Sequence, residues 1–147
     1  MVLPEKLLEF YNEKYTKFSS AASVLDQNIL TAFINEGHYE RHLNRMRKLY
    51  GEKRAVLMGE LKRLGEGVKI NGENAGHHMA VKLLNGLSED EMVDYAAQRG
   101  IKVYPLSKYF INGVPQKYTS TVLLGYAELS GTEIKQGIRE LKQAWRL

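Results

Sequence analysis

The feature that most constrains this chain is a change of hydrophobic period across Gly65 and Gly67. Upstream, apolar residues return at helical spacing; downstream, they alternate with polar ones, as in half-buried strands. A chain of 147 residues with that switch is expected to be α+β: three N-terminal helices, then a small, largely antiparallel sheet with helices on one face. The boundary falls between Leu64 and Val68, dividing 1–64 from 65–147.

Pro4 is tolerated at a helix start, and Leu7, Leu8, Tyr11, Tyr15 and Phe18 predict a first helix over 5–18. Ser19-Ser20-Ala21-Ala22-Ser23 ends it. Ser23 with Asp26 makes a near capping box for a second helix, striped by Leu25, Ile29, Leu30, Phe33 and Ile34 and stopped at Gly37. The third runs from Tyr39 to Leu64. Its stripe is Tyr39, Leu43, Met46, Tyr50, Leu57, Leu61 and Leu64, with Arg41, Arg45, Lys48, Lys62 and Arg63 on the opposite side.

Beyond the switch, Val68–Ile70 and His77–Leu83 read as strands, the second with His77, Met79, Val81 and Leu83 on one face. Ser88 to Glu91 is a capping box opening a helix that ends near Gly100. Ile101–Tyr104 is a short strand stopped by Pro105, and Asn112-Gly113-Val114-Pro115 is a loop. The unbroken apolar run Val122–Ala127 suits a central strand. Ser130 with Glu133 caps a last helix striped by Ile134, Ile138, Leu141 and Trp145.

The absence of cysteine excludes disulfides, cysteine-zinc sites and thiol nucleophiles. No apolar run is long enough for a membrane span and no signal-peptide pattern follows Met1, so the expected setting is cytoplasmic. The formal net charge of +4 is concentrated: eight basic residues lie between Arg41 and Arg63 against Glu52 and Glu60, leaving the rest slightly acidic. Charge on one helix face reads as solvation, and with no groove-reading element beside it, sequence-specific DNA binding is not expected.

The run Gly37-His38-Tyr39-Glu40-Arg41-His42 through Arg45-Met46-Arg47 to Tyr50 resembles the aminotransferase-like region of MocR-type, GntR-family transcriptional regulators. So do Val2-Leu3-Pro4, the Gln27 helix, Ala75-Gly76-His77-His78, Tyr104-Pro105-Leu106-Ser107 and Leu123-Leu124-Gly125-Tyr126-Ala127, in that order. The resemblance implies the end of a fold-type I large domain followed by a complete small domain, from a dimeric parent that also carries a DNA-binding head and holds pyridoxal phosphate. In such proteins the cofactor lysine and the phosphate-binding arginine lie just before the segment resembling Val2-Leu3-Pro4. The expectation for this chain is therefore no catalytic or cofactor-binding residue of its own, and no activity by itself. A fragment of a genuine pyridoxal-phosphate-dependent aminotransferase is the alternative; a free-standing nucleic-acid-binding module is a weaker one.

Three positions are candidates to face a substrate or effector. His78 matches a histidine near the family's active-site mouth, and shares strand phase with Ala80 and Lys82. Leu123 stands where an aminotransferase places the arginine that grips the substrate carboxylate, a bidentate contact leucine cannot make. Ser107 with Lys108 mimics a serine–lysine pair in a loop. No metal site is expected: His77 and His78 point to opposite faces of a strand, and His38 and His42 lack further ligands.

Overall fold

The computed structural model describes residues 3–15, 22–72 and 76–147. It is α+β, with α1 (Glu5–Tyr15), α2 (Val24–Asn35), α3 (His38–Lys62), β1 (Val68–Asn71), β2 (His78–Leu83), α4 (Glu89–Gln98), β3 (Tyr104–Pro105), β4 (Thr121–Gly125) and α5 (Gly131–Ala144). Two compact units divide within α3, at Asn44 and Arg45, so the segment expected to begin at 65 shares its unit with most of α3.

In the first unit, Ser23 caps α2, its hydroxyl accepting from the Asp26 amide at 3.1 Å and donating to the Asp26 carboxylate at 2.8 Å. The α2–α3 junction turns on Gly37, whose φ of 73° is left-handed backbone that suits glycine. No residue of α1 or α2 is buried, and Leu7, Phe10, Leu25, Ile29, Phe33 and Ile34 are all exposed. The expected break at 19–21 and Phe18 lie outside the described residues.

The second unit contains the sheet, in the order β1-β2-β4-β3, antiparallel throughout. Register pairs Val81 with Val122 and Met79 with Leu124. These side chains share the inner face and pack with Leu57 and Leu61 of α3, Met92 and Ala96 of α4, and Ile134, Ile138, Leu141 and Trp145 at α5. The unbroken apolar run is thus a central strand, as its sequence implies. The α3 stripe is buried only at Leu57 and Leu61, and Tyr39 is exposed.

Two strand expectations need correction. Residues 101–103 are not strand: only Tyr104 and Pro105 pair with β4, and Pro105 is the last paired residue rather than the first one beyond the strand. Proline is tolerated there because β3 is an edge strand, where an N–H can be missing from the outer side. His77 precedes β2 and is exposed, so it is not a half-buried sheet residue.

Both helices of the sheet unit begin in complete capping boxes, Ser88 with Glu91 and Ser130 with Glu133. Hydrogen bonds from the Ser88 backbone and then its hydroxyl hold the Glu91 carboxyl below the ordinary glutamate range. For Glu133, bonds from the Ser130 side chain and then its backbone do the same. A depressed folded pKa contributes stability above the unfolded pKa that is lost as pH falls through the folded value. The urea midpoint should therefore fall on acidification through and below the ordinary glutamate range, and the Ser88→Ala/Ser130→Ala double variant should show a shallower acid loss. Equal pH slopes in the two proteins would remove the caps from the account.

Candidate functional site

Strand alternation gives the sheet an outer face, opposite the helices. The pairing of His78 with Gly125 and of Ala80 with Leu123, and then of Leu123 with Tyr104, places all five residues on that face. His78 and Leu123 are therefore brought together on one surface. His78 is exposed, Leu123 half-buried and Tyr104 exposed.

Gly125 accounts for the setting of His78. A Cβ built there would stand 3.5 Å from the His78 ring Cδ2 and 3.7 Å from Nε2, so the imidazole lies across a residue with no side chain. The neighbouring end of the β2–β4 pair is locked by Tyr126, whose hydroxyl donates to the Gly76 carbonyl at 2.8 Å and whose amide donates to the His77 carbonyl. Tyr50 packs against His77 with ring centroids 4.3 Å apart.

Ser107 is placed differently from the other two candidates. It sits in a 3-10 turn over Leu106–Tyr109, half-buried, and its amide donates to the Glu89 carboxylate at 3.0 Å. That bond ties the turn to the start of α4 rather than to the outer face. Lys108 is exposed. In the first unit, the His38 ring contacts Arg41 through Nδ1 at 3.0 Å and Glu36 through Nε2 at 3.2 Å, and stacks on Phe33. Those contacts engage both ring nitrogens.

A cavity of about 350 Å³ is on the helix side of the sheet unit, against Leu57, Ile101, Leu124, Tyr126, Ile134 and Gly137. Its charged rim is already engaged: Arg99 bonds Glu140 and Gln143, and Glu133 bonds Ser130. It offers mainly apolar packing, and neither His78 nor Leu123 lines it.

A pyridoxal phosphate site needs a lysine for the imine, a carboxylate for the ring nitrogen and a cup for the phosphate. None of the described lysines is buried, Lys53 and Lys82 being half-buried and the rest exposed. Helix N-termini are ready anion sites, but those of α4 and α5 are filled by their own glutamates, whose carboxylates accept from the Ser88 and Ser130 amides at 2.8 and 2.7 Å. The described residues do not fit the group.

No family model matches the chain. Curated relatives do: it is 38% identical over 148 residues to the HTH-type transcriptional regulator YdeL of Bacillus subtilis, covering all of this chain and 31% of that protein. It is 32% identical over 147 residues to the probable rhizopine catabolism regulatory protein MocR of Rhizobium meliloti, covering 99% of this chain and 29% of that one. Among solved structures, LysN, an α-aminoadipate aminotransferase from Thermus thermophilus complexed with N-(5'-phosphopyridoxyl)-L-leucine, superposes with a TM-score of 0.76 at 26% identity, covering 99% of this chain and 36% of that one. An archaeal alanine:glyoxylate aminotransferase reaches a TM-score of 0.80 at 19% identity over the same 99% and 36%, a likeness of fold.

The fold is thus that of part of a pyridoxal-phosphate aminotransferase. Over its whole length the chain is similar to a part of MocR-type transcriptional regulators, and it spans about 30% of the length of the curated relatives it matches.

Sequence alternation put His78 in phase with Ala80 and Lys82, and the structure agrees. It did not reveal Gly125 or Tyr104 as partners, because those depend on register between strands distant in sequence. Gly125→Ala should be tolerated, its Cβ making ordinary contact with the ring. Gly125→Val should displace the imidazole, read as a change in the His78 ring resonances with the fold intact. An unmoved His78 spectrum in Gly125→Val would separate the two residues.

Proposed function

We propose that this chain is the C-terminal effector-sensing and assembly part of a MocR-like regulator, not an independent catalyst. Support comes from identity over essentially the whole chain to proteins named as transcriptional regulators, combined with a fold likeness to aminotransferases. On this reading, residues 1–64 end the large domain and 65–147 form the small domain. The rest of a cytoplasmic parent supplies the remaining large domain and the DNA-binding head. His78 and Leu123 face the effector across the domain junction, with Ser107 at its margin.

The cofactor lysine, ring-nitrogen carboxylate and phosphate cup belong to the parent outside these residues. Pyridoxal phosphate supplies an electron-withdrawing ring and an aldehyde that captures amines, and this chain contributes a wall rather than the anchor. The isolated chain should therefore show no stoichiometric borohydride-trapped label on any one lysine after incubation with pyridoxal phosphate. Specific labelling, at Lys108 above all, would overturn the assignment in favour of an aminotransferase fragment with its own anchoring lysine.

Assembly is the second half of the proposal. Apolar faces as extensive as those of α1 and α2 mark interaction surfaces. We expect concentration-dependent self-association in analytical ultracentrifugation, weakened by Ile29→Ser with Phe33→Ser. A monomer throughout the concentration range, or an unchanged association constant in the folded double variant, would place assembly elsewhere. DNA recognition is assigned to the head, so duplex DNA should bind only without sequence preference and fade steeply from ~50 to ~200 mM salt. A salt-resistant complex with one operator would contradict that division of labour.

A further inference from the structure

One corner of the outer face carries a charge pattern that effector sensing at His78 and Leu123 does not use. Lys69 of β1 lies directly opposite Lys82 of β2. Like charges facing each other across an antiparallel pair oppose its formation. The Lys82 ammonium donates to the Lys117 carbonyl at 3.2 Å, which brings the loop bearing a third lysine to the same corner. The Lys117 ammonium lies over the Tyr118 ring, 4.7 Å from its centroid.

Among the described residues, no carboxylate is paired with these three cations. The chain has no aspartate or glutamate from Gly100 to Ala127, which covers β3, the loop and β4. The ion pairs His38–Glu36, Arg63–Glu60 and Arg99–Glu140 do not involve Lys69, Lys82 or Lys117. Glu66, just before β1, is the carboxylate nearest in sequence to Lys69 among the described residues, and it is exposed. By contrast, cations of α3 have partners: Arg63 bonds Glu60, and the Lys53 ammonium donates to the Ala127 carbonyl.

The kind of cation indicates the kind of anion. The cations carried by the strands, Lys69 and Lys82, are lysines, and no arginine occurs between Arg99 and Arg139, the stretch that holds the Lys117 loop. Arginine's planar fork matches carboxylate and phosphate alike, whereas lysine acts as a compact point charge, so several lysines at one corner suit a multiply charged anion such as phosphate. The N-termini of α4 and α5 are filled by their own glutamates, so an anion at this corner would rely on the lysines.

We propose that the Lys69–Lys82 corner of the outer face, completed by Lys117, binds a small multiply charged oxyanion of the phosphate-monoester class. The bound anion relieves the cross-strand repulsion, so it both occupies the site and stabilises the β1–β2 pair.

The test titrates inorganic phosphate against the intact 147-residue chain, with chloride matched for ionic strength, following backbone amide resonances and the melting temperature. Phosphate should give saturable shifts at residues 69, 82, 117 and 121 and raise the melting temperature, because a ligand of the folded state stabilises it. Lys69→Gln and Lys82→Gln should each weaken the response several-fold, while Lys69→Arg keeps most of it. The Lys→Gln variants should also melt higher than the parent protein without phosphate, which keeps the test readable if binding is weak. Arg45→Gln with Lys48→Gln, on α3, should leave the response unchanged. An equal response to chloride, shifts that follow the α3 variant instead, or a response to duplex DNA with phosphate silent would each overturn the proposal.

Discussion

The pairing of β2 with β4 is the interaction on which the rest of the sheet unit depends. Its register sets Val81 against Val122 and Met79 against Leu124. All four are buried and meet the helix layer. Side chains alternate with a period of two, so a slip of one residue would turn this apolar set outward and bring His78, Ala80 and Lys82 into the core. Burying Lys82 and His78 without partners would cost several kcal/mol, so the slipped register does not compete. The same constraint assembles the outer face: no short-range signal joins His78 to Gly125, but the register does.

The helix layer is tied to that sheet at its far end by one residue. Trp145, fully buried, donates its indole N–H to the Met92 carbonyl at 3.0 Å, and its own carbonyl accepts from the Asn85 side chain at 2.8 Å. These bonds join the end of α5 to α4 and to the turn following β2. Truncating a buried indole to alanine typically removes about 3–5 kcal/mol, a large part of an ordinary domain's stability. Nothing comparable holds α1 and α2, whose apolar residues are exposed throughout. Their helicity is supported locally by the Ser23 cap and the glycine turn, while the sheet unit owes its order to a shared core.

Local rules made much of this legible. Both complete capping boxes were readable as Ser-x-x-Glu, the central strand as an unbroken apolar run, and the α5 stripe as Ile134, Ile138, Leu141 and Trp145. What escaped depended on distant partners. Ile101-Lys102-Val103 has strand composition, yet pairing at that edge begins only at Tyr104. Tyr39 fits the helical stripe but stays exposed, with only the edge of Phe33 against it, because periodicity identifies a face and cannot supply what covers it. Of the three candidate site residues, His78 and Leu123 share a face, whereas Ser107 is drawn by its amide toward Glu89. A loop residue's direction follows from a bond to a helix eighteen positions away, which no spacing rule encodes.

The outer face also bears on how such a segment could read an effector. Leu123 lies between Ala80 and Tyr104, and these three side chains make an apolar strip from β2 across β4 to the edge strand β3. His78 borders one end; Lys82, paired with Thr121, borders the other. Along β2 the two are four residues apart, roughly 13 Å at the usual strand rise. A carboxylate held over Leu123 would therefore meet no fork of donors from this sheet, and a lysine could reach it only as a flexible point charge. On the proposed reading, selectivity from this wall rests on apolar shape and on the His78 imidazole, while tight recognition of a carboxylate falls to the part of the regulator that faces it. The sheet then responds to which molecule is bound without itself supplying the anchoring charge, an arrangement suited to sensing rather than turnover.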